Sequence, residues 1–264
     1  MQKKIAVIND LSGYGRCSLT VAIPVLSVMG HQCCPVPTAI LSNHTEFPVY
    51  FFDDYTEKMT AYTDKWKELG LSFDAVATGF LGSEAQIEIV MDMIRKLESE
   101  ETFVVVDPVM GDHGHAYETY TPEMCEQMKE LVCMADIVLP NVTECCILTD
   151  TPYKKENWTR RELLNMAMML RLMGAKSVVI TGVREGSYYT NVVLERGQME
   201  AKFIRTRSSG GERPGTGDVF SSVVAGALLN GKSLPEAVAQ AAGFVKECIK
   251  VSDEEQIPHA NGVC

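Results

Sequence analysis

Short, wholly apolar runs separated by segments of helical periodicity set the architecture of this chain. Residues 5–8 read as a buried strand, followed by a turn carrying Gly13 and Gly15. Residues 18–29 have helical length, and Pro24 is expected to bend them. Residues 33–40 look extended, with Pro35 and Pro37 predicting an irregular or edge strand. Runs rich in β-branched residues recur at 75–77, 103–106, 137–139 and 177–180. Amphipathic stretches at 57–69, 84–97, 122–132 and 160–173 alternate with them. This alternation predicts a mainly parallel sheet with helices on both faces. Further on, 188–194 and 199–204 flank Glu195-Arg196-Gly197-Gln198 as a hairpin. Two helices, 217–229 and 234–250, follow the loop Ser208-Ser209-Gly210-Gly211. No repeat, low-complexity block or long linker intervenes, so a single α/β domain is expected over residues 1–264.

Composition narrows the class. Of 264 residues 46% are hydrophobic and 22% charged, as in ordinary globular proteins. A formal charge of −11 argues against broad attraction to nucleic acid or to an anionic membrane. The longest apolar stretch, around residues 19–29, is too short to span a bilayer. The opening Met1-Gln2-Lys3-Lys4 leads into an apolar run that Asn9-Asp10 ends too soon for a secretory signal. Nine cysteines include two adjacent pairs, Cys33-Cys34 and Cys145-Cys146, but no C-x-x-C. Free thiols in a reducing cytoplasm are the expectation.

Open sheets of this kind bind ligands in the crevice beyond the carboxyl ends of their strands. Four polar groups stand where strands end: Asn9-Asp10, Thr78-Gly79-Phe80, Asp107-Pro108 and Pro140-Asn141. Gly13-x-Gly15-x-x-Ser18 follows a strand but lacks the third glycine of a dinucleotide fingerprint, and reads as a turn with backbone room. No G-x-x-x-x-G-K-[ST] occurs. Pro214-Gly215-Thr216-Gly217-Asp218, ahead of an apolar helical run, carries more chemistry. Its glycines let backbone N–H groups approach an anion, and the helix N-terminus adds partial positive charge there. Asp218 falls in the first turn, beside that anion site.

The Gly215–Asp218 segment resembles the anion-hole and catalytic-base motif of the ribokinase-like superfamily. Asp107-Pro108-Val109-Met110-Gly111-Asp112 and Pro140-Asn141-Val142-Thr143-Glu144 are similar to two motifs of its vitamin-kinase branch. Ser42-Asn43-His44-Thr45 and Thr78-Gly79-Phe80-Leu81-Gly82-Ser83 narrow the likeness to the pyridoxal kinases. The motifs stand in the family's order and cover nearly the whole chain. The resemblance implies a three-layer αβα fold with a mostly parallel central sheet, and ATP-dependent phosphorylation of the 5′-hydroxymethyl group of a B6 vitamer. It implies that Asp218 accepts the hydroxyl proton while Gly215, Thr216 and Gly217 hold the γ-phosphoryl group. Asp107, Asn141 and Glu144 would order Mg²⁺, its waters and the ATP phosphates, with Asp107 and Glu144 on the metal and Asp112 a second acidic position. Thr181 would contact a phosphate, Phe203 to Thr206 would border the adenine, and Thr45 and Phe80 would touch the pyridine ring. A homodimer is implied, and a monovalent-cation requirement is left open.

Asp10 stands where the family usually carries serine; a carboxylate beside the vitamer favours a cationic amine over an aldehyde, so pyridoxamine is expected to be handled at least as well as pyridoxal. The alternative is that Asp10 turns away to cap the 11–15 turn, leaving Ser12 as the substitute hydroxyl. His113-x-His115 has no third ligand at recognisable spacing and reads as a mobile loop. That loop, 112–120, falls where the family places a flap over ATP, with Tyr120 either closing on the nucleotide or packed. His44 is expected to be a structural hydrogen-bonder, Glu46 to be solvated, and Cys145-Cys146 to fill core space. Arg205, Arg207 and Arg213 bracket the glycine loop as surface charges, one of which could reach a phosphate. A hydroxymethylpyrimidine kinase of the same superfamily is the nearest rival; many of those carry cysteine at the position of Asp218 and lack Ser-Asn-His-Thr. A non-catalytic vitamer-binding protein is the rival of another class, and an intact Asp218 argues against it.

Overall fold

The computed structural model of the chain describes residues 2–97, 99 and 101–264. The first half contains β1 (Lys4–Tyr14), α1 (Ser18–Val28), β2 (Gln32–Asn43), β3 (Phe52–Asp54), α2 (Thr56–Glu68), β4 (Ala75–Thr78), α3 (Glu84–Leu97) and β5 (Phe103–Val106). A small hairpin, β6 (Gly111–Asp112) with β7 (His115–Ala116), leads to α4 (Pro122–Cys133), β8 (Ile137–Val138), α5 (Val142–Leu148) and α6 (Arg160–Met173). The chain continues through β9 (Ser177–Glu185), β10 (Tyr188–Leu194), β11 (Lys202–Arg207), α7 (Thr216–Leu229) and α8 (Leu234–Glu254).

Nine strands form one sheet in the order β11-β10-β9-β8-β5-β4-β1-β2-β3. The six central strands run parallel, while β3, β10 and β11 add antiparallel margins. Alternate residues of the central strands are buried on opposite faces. Ala6, Ile8, Val104 and Val106 pack with α2 to α6, whereas Ile5, Val7 and Val105 pack with α1, α7 and α8. Burial on both faces explains why these strands read as unbroken apolar runs. Each such valine or isoleucine contributes about 1.5–3 kcal/mol by leaving water. Three layers result, helices over sheet over helices.

Several local readings change. β1 does not turn after Ile8 but runs to Tyr14, because β2 pairs along its whole length with one register shift after Asn9. Pro35 and Pro37 lie in the part of β2 that precedes its contact with β3, where one edge needs no donors. α1 continues through Pro24. α5 and β3 add elements that the pattern left as loop. Cys145 and Cys146 are buried in the core, and all nine cysteines are free thiols.

Candidate active site

The chain leaves β1 toward β2 on one side and returns to β4 on the other. Neighbouring parallel strands here diverge in their connections, which opens a crevice at their carboxyl ends. A cleft of about 850 Å³ occupies that edge. Its wall takes Asn9 from β1, Phe80 after β4, Asp107 after β5, Asn141 and Glu144 at α5, Thr181 from β9 and Thr206 from β11. Gly215, Thr216, Gly217 and Asp218 close it from the start of α7.

The cradle is built by close approach of two backbones. Gly215 is the N-cap of α7 with φ +81°, and a Cβ there would lie 1.9 Å from the Arg16 carbonyl oxygen. Gly217 meets nothing within 4 Å at its Cβ position, so the cradle opens to the cleft there. Thr216 Oγ1 donates to the Arg213 carbonyl at 3.0 Å and fixes the turn. Arg213 is spent on the carboxyl-terminal segment: its guanidinium donates to the Ile257 carbonyl at 2.9 Å and pairs with Asp253 at 2.8 Å. The sequence reads it as a surface charge, one of three of which one could reach a phosphate; the fold instead buries its side chain as a brace.

Asp218 sits half-buried under the cradle. Its Oδ1 accepts from Asn9 Nδ2 at 3.0 Å, and the backbone N–H of Ser18 also donates to it. Burial raises its carboxyl to about 6, against these donors, which lower it. Burial also raises the carboxyl of Asp107, helped by the negative charge of Asp218. Glu144 is raised by burial and then by Asp107. Glu144 is the third residue of α5 and forms a capping box with Asn141: Oε2 accepts the Asn141 N–H at 2.7 Å, and Asn141 Oδ1 accepts the Glu144 N–H at 2.9 Å. Glu144 Oε1 accepts the Met110 N–H at 3.2 Å, and Asn141 Nδ2 donates to the Gly111 carbonyl at 2.9 Å. Strand ends and helix start are thereby tied into one acidic floor.

Four expected residues stay off the cleft wall. Asp10 is 7% exposed, and its carboxylate accepts hydroxyls from Ser12 at 2.8 Å and Ser18 at 2.5 Å. It therefore braces the entry to α1, and neither faces the cleft nor caps a turn. Ser12 is fully buried as its donor. Thr45 is exposed on the loop after β2, where Glu46 lines the cleft instead. Phe203 packs on the α6 side of the sheet under the Arg160 guanidinium, 4.7 Å from its ring centre. Strand alternation sends Phe203 to that face, and Ile204 packs on the opposite one.

The 112–120 segment begins as a two-residue hairpin. His113 and Gly114 both have positive φ, +51° and +87°, as the tightest hairpin turns require. Asp112 and His113 line the cleft mouth, and His113 Nε2 lies 3.5 Å from Glu212 Oε2 on the opposite rim. Asp112, His113 and Glu212 form an exposed cluster, with a third partner that the local spacing did not contain. Tyr120 is packed in the core, and Tyr117 faces the cleft. His44 Nε2 donates to the Ala260 carbonyl at 2.7 Å, a structural bond as expected. Asn9, Ser18 and Tyr117 were missed as site residues. Asn9 and Ser18 did stand in quoted motifs, at a strand end and at the third position of the imperfect glycine fingerprint.

A glycine turn at a helix start, facing clustered carboxylates at the ends of parallel strands in an αβα sandwich, is the architecture of a ribokinase-like kinase. The sequence profile of the phosphomethylpyrimidine kinases matches residues 23–263, and the chain belongs to that family. Among curated relatives, the pyridoxine kinase of Bacillus subtilis is 27% identical over 260 residues, spanning 96% of this chain and 85% of that one. The hydroxymethylpyrimidine/phosphomethylpyrimidine kinase of Aquifex aeolicus is 30% identical over 178 residues, 67% of each chain. A Bacteroides thetaiotaomicron protein named for the phosphomethylpyrimidine kinases and crystallised with pyridoxal superposes with a TM-score of 0.95. It is 40% identical, with 100% of this chain and 93% of that chain covered. Pyridoxal kinase from Lactobacillus plantarum superposes at 0.92 with 28% identity, covering 100% and 94%. Among the described residues no helix is long and apolar enough to cross a membrane.

Proposed function

We propose that the chain phosphorylates the 5′-hydroxymethyl group of a B6 vitamer (pyridoxal, pyridoxamine or pyridoxine) at the expense of ATP. The observation that carries this reading is the placement of Asp218, half-buried at the mouth of α7 and between the glycine cradle and the acidic floor. Pure binding needs no carboxylate there. The relatives named for B6 vitamers, the Bacteroides protein holding pyridoxal and the Ser-Asn-His-Thr motif support the vitamer over a pyrimidine.

In this mechanism ATP lies along the cleft with its γ-phosphoryl group at Gly215, Thr216 and Gly217. Thr181 and Thr206 line its nucleotide side, and Lys155, Arg184, Arg207 and Lys246 supply positive charge. Phe80, which lines the cleft and whose backbone N–H is held by the same Asn9 that holds Asp218, is assigned to the vitamer ring. Asp218 takes the proton of the vitamer hydroxyl as that oxygen attacks the γ-phosphorus; the bond to the β–γ bridging oxygen breaks and ADP leaves. Such transfer depends mainly on in-line placement and charge stabilisation, so a carboxylate of modest basicity suffices.

The floor fits a divalent cation. Asp107 is raised first by burial and then by the charge of Asp218, and Glu144 first by burial and then by Asp107; a cation would relieve the repulsive part. Carboxylate oxygens and waters are the ligands Mg²⁺ prefers. Asp107 and Glu144 would hold it, with Asn141 and Asp112 beside them; Glu144 uses two of its lone pairs on backbone N–H groups and keeps others. When bound, Mg²⁺ neutralises phosphate charge. The homodimer implied by the resemblance belongs to the same reading and is checked by light scattering.

The test is incubation with Mg²⁺-ATP and each of pyridoxal, pyridoxamine, pyridoxine and hydroxymethylpyrimidine, with phosphorylated product followed by mass spectrometry. A B6 vitamer 5′-phosphate is expected. Product from the pyrimidine alone, or none from any acceptor, removes the proposal.

A further inference from the structure

Below Asp218 lies a second, smaller space. A cavity of about 20 Å³ separates the ends of β1 and β4 from α1 and α7, room for one water molecule. Apolar side chains such as Val7 and Leu26 form part of it, while Asn9, Thr78, Ser222 and Asp218 supply polar groups. Thr78 is 4% exposed, and its Oγ1 has no hydrogen-bond partner within the protein. A buried hydroxyl in that state is costly, and proteins commonly satisfy it with internal water. Ser222 lies four residues after Asp218 and so on the same side of α7. A water here meets several polar partners, which is what retention requires.

We propose that this cavity binds one water, held by Thr78 Oγ1 and the Ser222 hydroxyl and donating to the Asp218 carboxylate, so that Thr78 is a positioning residue for Asp218. Asn9 grips Oδ1 of that carboxylate from one direction. The Ser18 N–H also donates to it, and a third donor, from the cavity side, completes the hold on its rotation and leaves a lone pair directed at the cleft. The kinetic consequence rests on the reading of Asp218 as proton acceptor; occupancy by water does not.

Two measurements test it on Thr78→Val, Thr78→Ser and Ser222→Ala. High-resolution crystallography, or water–protein cross-relaxation by NMR, should find one water in the wild type and in Thr78→Ser, and none in Thr78→Val. Steady-state kinetics should give Thr78→Val a kcat lower by about 5- to 20-fold with both KM values within about twofold, since small misplacements of a reacting group cost rate more than binding. Thr78→Ser should restore kcat, and Ser222→Ala should lie between. A dry cavity in the wild type overturns the inference, as does a folded Thr78→Val enzyme with unchanged kcat. Should Thr78→Val not fold, an unchanged kcat in Ser222→Ala overturns it equally. Water present in a wild type that phosphorylates no acceptor would instead overturn the functional reading and leave the water site standing.

Discussion

Asn9 Nδ2 donates to Asp218 Oδ1 at 3.0 Å, across 209 positions of sequence. The Oδ1 of the same Asn9 accepts the N–H of Asp10 at 3.0 Å and that of Phe80 at 2.9 Å. One neutral side chain thus joins β1, the loop after β4 and the first turn of α7. Its fit is close enough that a Cβ on Gly79 would lie 2.4 Å from Nδ2. Asn9→Leu removes these bonds at similar volume and is expected to cost about 1–3 kcal/mol of stability, because the Phe80 N–H loses its acceptor. Asn9→Asp places a like charge beside Asp218 and pushes its carboxyl up further. The acid limb of kcat/KM should then move to higher pH, with activity partly recovered at alkaline pH. An unmoved limb in a folded Asn9→Asp enzyme contradicts the coupling.

Burial sets a pH dependence of stability with a definite sign. Asp218 is raised from 3.8 to about 6. Between those values the folded protein keeps a proton that the unfolded chain releases. The resulting stabilisation is complete below about pH 4 and is lost as pH rises through 6. Asp107 and Glu144 shift in the same direction. Asp218→Asn should therefore be more stable than wild type at pH 8, by about 1–2 kcal/mol after allowance for partial exposure, with the gap closing toward pH 4. Thermal melts across that range check it; a variant melting below wild type at pH 8 contradicts it.

The two glycines of the cradle should separate stability from activity. At Gly215 a methyl group collides with the Arg16 carbonyl and the backbone is left-handed, so Gly215→Ala should lose about 2–4 kcal/mol or fail to fold. At Gly217 a methyl meets only open cleft, and alanine in a helix is better than glycine by about 0.5–1 kcal/mol. Gly217→Ala should melt at or above wild type yet lose about tenfold or more in kcat/KM, because the methyl fills the space assigned to the γ-phosphoryl group. Melting temperature and kcat/KM measured on both variants decide the point.

The strands and the long helices were legible because each carries its own period: α3 and α6 have the boundaries predicted, as do β5 and β10. α5 was not, because seven residues buried at five positions show no polar face, and its Asn141/Glu144 capping box reads equally as a ligand motif. β3 was lost to its length of three residues. The cleft was legible as a set of strand ends, and Asp218 as a first-turn acid. Its setting was not. Asn9 meets Asp218, and Glu212 meets His113, only through the fold, and no local spacing encodes such pairs.

Asp10 illustrates the same limit. Its charge suggested selection of an amine, but its oxygens serve Ser12 and Ser18, and Ser18 holds φ +53° at the head of α1. Asp10→Ser should lower stability by about 1–3 kcal/mol, as two buried hydroxyls lose their acceptor. The ratio of kcat/KM for pyridoxamine over pyridoxal should stay within about twofold. A fall of tenfold in that ratio would return Asp10 to the substrate pocket.

The most direct test compares wild type with Asp218→Asn under saturating Mg²⁺-ATP and pyridoxal, following the 5′-phosphate by ³¹P NMR and nucleotide affinity by calorimetry. The account predicts product from the wild type, turnover lower by about 100-fold or more in the variant, and ATP affinity within about twofold. Near-normal turnover by Asp218→Asn would contradict it.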